Sequence, residues 1–146
     1  MEQLGCKHEG NQDQKLRNNM IKEGLEHSTT ITVEGEHTAL SVGSGDMQVL
    51  ATPALIAFME NVAMLTVRDL LSDDVTTVGG MIEVKHLKAS PVGAEVVVKA
   101  MLEKVDGIKL QFKLEAFHGE KLIAEGAHLR FIVNRQEFMN RVLKTE

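Results

Sequence analysis

The sequence has no tryptophan, no tyrosine, one cysteine, two prolines and five phenylalanines among its 146 residues. A single cysteine excludes an intramolecular disulfide, and Cys6 lies in a polar stretch that marks it as a bystander, not a nucleophile or metal ligand. Few aromatic rings leave little to stack on bases. With a formal net charge of −5, the chain also repels phosphate, so nucleic acid is excluded as a main partner. No basic run marks a membrane surface patch, and no leader or membrane-spanning segment is recognised, so the expected location is the cytoplasm. His8 and His27 are too isolated to be metal ligands, and nothing points to a metal, a redox nucleotide or haem.

What the chain does have is an apolar stretch, Leu50–Leu71. Thr52 followed by Pro53 predicts a helix start, with Thr52 as the cap and Pro53 in the first turn. From Pro53 to Val67 only Glu60, Asn61 and Thr66 interrupt the apolar residues, which predicts a helix buried on all sides. The run is too short and too interrupted to span a membrane. Glu60 is the odd residue. A carboxylate midway along a buried helix costs several kcal/mol unless it is partnered, so it is either a structural ion pair or part of a site.

Around this helix the pattern is that of strands. Residues 1–28 read as a polar extension, partly helical near Gln14–Leu25, and residues 29–146 as one domain. Thr29–Glu36 reads as a first strand, and His37–Gln48 and Ser72–Gly80 as loops. Met81–Lys88 alternates, with Ile82, Val84 and His86 on one face. Glu95–Val105 and Ile108–Phe117 alternate around Asp106–Gly107, a tight-hairpin signal. Lys121–Val133 is a last strand with a change of phase near Glu125–Gly126. Beyond it Ala127, Leu129, Phe131 and Val133 face one way, and His128 and Arg130 the other. Asn134–Glu146 predicts a short helix docked by Phe138, Val142 and Leu143. The expected fold is α+β: an antiparallel sheet curled around one long central helix, with an uncovered edge and helix flank that call for a symmetric homodimer.

On these residues the chain resembles the hotdog-fold acyl-CoA thioesterases, more narrowly the fluoroacetyl-CoA thioesterase-like group. The matching pieces are Ala51–Thr52 at the helix start, Glu60 eight residues on, Gly79, the segment from Val84 to Gly93 containing His86 and Pro91, Asp106–Gly107, Gly126–Arg130, and Phe138 with Val142. The resemblance implies a catalytic triad of Thr52, Glu60 and His86. It puts Gly79 at a backbone position near the thioester carbonyl and Arg130 near the coenzyme A entrance. It implies no cofactor beyond the coenzyme A of the substrate, and a site at a dimer interface.

The chemistry of these residue types is compatible. Thioester hydrolysis needs a nucleophile or an activated water, a proton shuttle and donors for the oxyanion. A helix start supplies free amides for that anion, and an imidazole exchanges protons near neutrality. Glu60 can hold a water, act as a base or attack. Eight helical residues separate Thr52 from Glu60 by about 12 Å, so His86 or a second subunit must complete the site. The group's type enzyme carries phenylalanines in the loop before the helix; Val42–Val49 has none, so fluoroacetyl selectivity is not expected. A non-catalytic acyl-CoA-binding module on the same scaffold is the alternative reading, and an enoyl-thioester hydratase ranks below both. Lys85, Lys88 and Arg130 read as solvated surface or as contacts to coenzyme A phosphates.

Overall fold

The computed structural model describes residues 20–144. The elements, in chain order, are β1 (Glu26–Thr32), a 3-10 turn (Gly35–His37), α1 (Ala39–Val42), α2 (Thr52–Arg68), β2 (Val75–His86), β3 (Glu95–Asp106), β4 (Lys109–His118), β5 (Lys121–Asn134) and α3 (Arg135–Lys144). The five strands form one sheet in the order β1-β3-β4-β5-β2, and every neighbouring pair is antiparallel.

The alternation read in β3 and β4 sets the core. Val96, Val98, Ala100 and Leu102 of β3 and Leu110, Phe112, Leu114 and Ala116 of β4 are wholly buried. Two-residue turns make the hairpins, with Gly107 at φ +60° and Gly119 at φ +62° in the first turn position. That position calls for glycine in a type II′ turn. Asp106 is therefore the last strand residue and Gly107–Ile108 the turn.

Helix α2 lies on one face of the sheet and is not enclosed all round. Leu55, Met59, Val62, Ala63 and Val67 are buried beneath it, while Pro53, Ala57 and Asn61 are exposed and Ile56, Glu60 and Met64 half-buried. At about 25 cal/mol per Å² of apolar surface, that open flank is a substantial area still to be covered.

Several boundaries differ from the sequence reading. β1 starts at Glu26 and ends at Thr32, so residues read as extension belong to the sheet; Gly24 and Leu25 also exchange backbone hydrogen bonds with Leu102. Residues 20–25 are turn and coil, and the rest of the helix read near Gln14–Leu25 lies outside the described residues. Val75–Gly80, read as loop, is the first half of β2. β2 pairs with β5 instead of β3, and Leu87–Ala94 crosses the sheet end between them. α3 forms as read, but Val142 and Leu143 are exposed and only Phe138 is half-buried.

The described strands carry three bulges. One is at Glu103 in β3, and the other two set which residues of β2 and β5 face the helix. One lies in β2 at Gly80, between Gly79 and Met81. The other, at Ile123 in β5, is where the phase of that strand changes, ahead of the Glu125–Gly126 position read from the sequence. With these in place Thr77, Gly79, Ile82, Val84 and His86 of β2 stand opposite Ile132, Arg130, His128, Gly126 and Ala124 of β5 on the helix side.

Candidate active site

The site residues fall into two groups on α2 and the strands beneath it. The first group is at the helix start. The helix begins at Thr52, with Ala51 as the cap in extended geometry and no side chain capping the first turn. Thr52 is thus not the cap that the sequence suggested. Its hydroxyl is free for another partner and lies 2.8 Å from Nδ1 of His86. Leu50 and Ala51 are buried, and their amides bond to Ser90 and His37 carbonyls, which fixes the point where the helix starts.

His86 ends β2 on the helix side, held where Leu87 and Lys88 amides both donate to the Ile123 carbonyl. Burial lowers the His86 pKa, against an opposing effect of the Lys88 backbone, so the ring is neutral at pH 7. A neutral imidazole with a free nitrogen can take the Thr52 proton. In that tautomer the ring proton sits on Nε2, which is buried and has no hydrogen-bond partner among the described residues. Beside the pair opens a cleft of about 700 Å³, lined by Ala39, Ser44, Val49, Pro53, Ile56, Leu87 and Lys88 among others, with no aromatic side chain.

The second group lies farther along the helix. Gly79 faces Glu60: a methyl there would sit 3.0 Å from Glu60 Oε2, 3.3 Å from His128 Cε1 and 3.6 Å from Arg130 Nη1. The missing side chain is the space in which carboxylate, imidazole and guanidinium meet. Arg130 is buried, at 7 % exposure. Its Nε donates to Thr77 Oγ1 and its Nη2 to the Thr77 carbonyl, both at 2.8 Å, and its Nη1 donates to His128 Nε2 at 3.2 Å. Burial lowers its pKa, opposed by the charge of Glu60. Arg130 is therefore an interior cation beside Glu60.

The structure thus joins Thr52 to His86, and Glu60 to Gly79 and Arg130. It does not join the two groups within one chain, since α2 separates Thr52 and Glu60 by about 12 Å. His128, given no role from the sequence, belongs to the second group. A polar residue on an alternating strand reads as outward; the available signal was that a helix carrying Glu60 needs cationic or donor partners on the facing strand.

Among the described residues no group of three or more His, Cys, Asp or Glu is placed to hold a metal ion. No described helix is long and apolar enough to cross a membrane.

Residues 33–136 match the family model described as fluoroacetyl-CoA-specific thioesterase. The chain is 30% identical over 95 residues to the fluoroacetyl-CoA thioesterase of Streptantibioticus cattleyicolor, an alignment covering 65% of this chain and 68% of that protein. A solved structure of a fluoroacetyl-CoA thioesterase superposes with a TM-score of 0.80 at 25% identity, over 86% of this chain and 98% of that one. A thioesterase superfamily member from Thermus thermophilus gives 0.77 at 27% identity, over 85% and 93%. A hot-dog-like protein from Thermanaerovibrio acidaminovorans gives 0.80 at 20% identity, over 87% and 94%. The sheet order, the single long helix across it and these matches agree: the fold is the hotdog, and the chain belongs to the fluoroacetyl-CoA-specific thioesterase family.

Proposed function

We propose that the chain is a homodimeric thioesterase that hydrolyses small acyl-CoA thioesters to the free acid and coenzyme A, in the cytoplasm and with no cofactor beyond the substrate's own coenzyme A. The observation that carries this reading is the 2.8 Å hydrogen bond between Thr52 Oγ1 and His86 Nδ1 at an uncapped helix start. His86 takes a proton as Thr52, or a water held beside it, attacks the thioester carbonyl. The carbonyl oxygen becomes an anion, met by first-turn amides of α2 and, across the dimer, by the backbone at Gly79 of the partner subunit. The tetrahedral intermediate expels the coenzyme A thiolate, which takes the proton back from His86. Where water attacked, this leaves the free acid. Where Thr52 attacked, it leaves an acyl-Thr52 ester, which a water giving its proton to His86 then cleaves to the free acid while Thr52 regains its hydroxyl proton.

Glu60 completes the site from the partner protomer. The open flank of α2 and the free edge of β2 are the surfaces a two-fold axis would join, bringing the Glu60 group of one chain to the Thr52–His86 pair of the other. Glu60 then meets the His86 imidazole or holds the attacking water. The cleft beside Thr52 takes the acyl group, and its apolar walls without phenylalanine suit acyl groups larger than fluoroacetyl.

The direct test is a thiol-release assay across acyl-CoA chain lengths, with fluoroacetyl-CoA included. Turnover by the wild type and its loss in Thr52→Ala, Glu60→Gln and His86→Ala, each still folded, is the expected result. No thiol released from any acyl-CoA would refute the hydrolase reading.

A further inference from the structure

His128 is wholly buried on β5, makes specific contacts through both ring nitrogens, and has no part in the triad chemistry above. Its Nδ1 is 2.7 Å from the Met81 carbonyl, an acceptor only, so Nδ1 carries the proton and donates. Nε2 is then a lone pair, and Arg130 Nη1 donates to it at 3.2 Å. The Phe112 ring packs against the imidazole with centroids 6.4 Å apart, and Cε1 points at the space over Gly79 where Glu60 Oε2 lies.

We propose that His128 is a positioning residue: as a neutral imidazole protonated on Nδ1, it holds the Arg130 guanidinium through Nε2 and so fixes the cation against which Glu60 is set. This rests on the proposed function only for its catalytic consequence. The guanidinium is held on three sides, by Thr77 Oγ1, the Thr77 carbonyl and His128 Nε2. Of these, only the His128 contact is made by Nη1, the nitrogen that lies nearest the space over Gly79. Removing it leaves the planar guanidinium held along one edge only, by Thr77, and able to tilt about that edge. The charged groups around the imidazole are Arg130 on its own strand and Glu60 on α2; β4 contributes Phe112, and β2 contributes the Met81 carbonyl and Gly79, none of them titratable. Burial and the Arg130 charge both disfavour an imidazolium there, against opposing pulls from Met81 and Glu60.

Two substitutions separate positioning from simple packing. Glutamine can place an amide oxygen near Nε2 and still accept from Arg130. Asparagine can replace only the Nδ1 donation to Met81. His128→Gln is expected to keep kcat within a few-fold of wild type, and His128→Asn to lower it about ten- to a hundred-fold with KM unchanged. The probes are acetyl-CoA through hexanoyl-CoA. Equal losses in both variants, or a loss confined to His128→Gln, would overturn the proposal.

Nitrogen-15 NMR of the intact protein decides the same point without turnover. The wild type should show His128 as the Nδ1–H tautomer at pH 7, with a slowly exchanging Arg130 side-chain N–H that persists in His128→Gln and is lost in His128→Asn. An Nε2–H or doubly protonated His128 in the wild type overturns the positioning role even if neither variant folds. Lack of wild-type thiol release with the Nδ1–H tautomer present instead refutes the hydrolase reading and upholds the positioning contact.

Discussion

The two ends of the site differ in how fully their polar atoms are used. At the helix start Thr52 is exposed, and His86 makes one side-chain hydrogen bond and keeps a buried nitrogen without a partner among the described residues. At the Glu60 end, the Arg130 and His128 nitrogens are occupied by Thr77, Met81 and each other, and both side chains are buried. A group with a free valence can change its proton inventory during a reaction. A saturated one can only hold its position. On the proposed function, the helix start is the end that reacts and the Arg130–His128 pair is a fixed support beside Glu60.

Breaking the reactive end should give the largest loss of activity with the least loss of stability. His86→Ala and Thr52→Ala are expected to lower kcat by about 10²–10⁴-fold, with a melting temperature close to wild type. Breaking the support should do the reverse in part. Arg130→Met leaves Glu60 without its cation and Thr77 and His128 without their donors; a cost of about 3 kcal/mol or more in denaturant unfolding is expected, along with lost activity. Equal destabilisation by His86→Ala and Arg130→Met would erase the distinction.

A complementation experiment then asks whether the two ends meet across subunits. Co-expressed Thr52→Ala and Glu60→Gln chains should recover about a quarter of wild-type activity, because half the dimers are mixed and each mixed dimer has one intact site. A site made within one chain would recover none.

The pH dependence of stability is a smaller effect. Burial depresses the pKa of both His86 and His128, so the unfolded chain binds more protons than the folded one as pH falls below about 6.5. Stability should therefore be full above that pH and decline on acidification through the depressed values, seen as a lower melting temperature at pH 5 than at pH 7.5. The smallest effect is in the cleft beside Thr52, where each methylene added to the acyl chain should raise kcat/KM by about four-fold until the space is filled, as about 0.8 kcal/mol per buried CH₂ implies.

Much of this was legible in the sequence, and the exceptions have physical causes. The inner faces of β3 and β4 could be read directly because every second residue from Val96 to Leu102 and from Leu110 to Ala116 is apolar. The Asp106–Gly107 signal placed the hairpin, though the turn falls one residue later. Glu60 stood out as a carboxylate on an apolar helix and His86 as an imidazole in line with aliphatics, while Thr52 read as a cap; the family resemblance grouped the three and added Arg130. His128 was passed over, because alternation assigns polar residues to solvent; here it and Arg130 are inward, on the side of Glu60. The first half of β2 was missed because Gly79–Gly80 signals a loop. Instead Gly79 leaves room for Glu60, and a side chain at Gly80 would collide with the Phe131 ring. Pairing of β2 with β5 depends on contacts between distant segments, which local patterning does not encode.

The irregularity at Gly80 gives β2 an expansion joint. The extra residue is absorbed there without turning any side chain over, so deleting Gly80 would leave Gly79 and His86 facing the same way as before. The interval between them would change little, because seven steps of β2 from Gly79 to His86 already match six steps of β5 from Arg130 to Ala124. That single deletion removes the slack from β2 while sparing every functional group, and so offers a direct measure of how far the site depends on it.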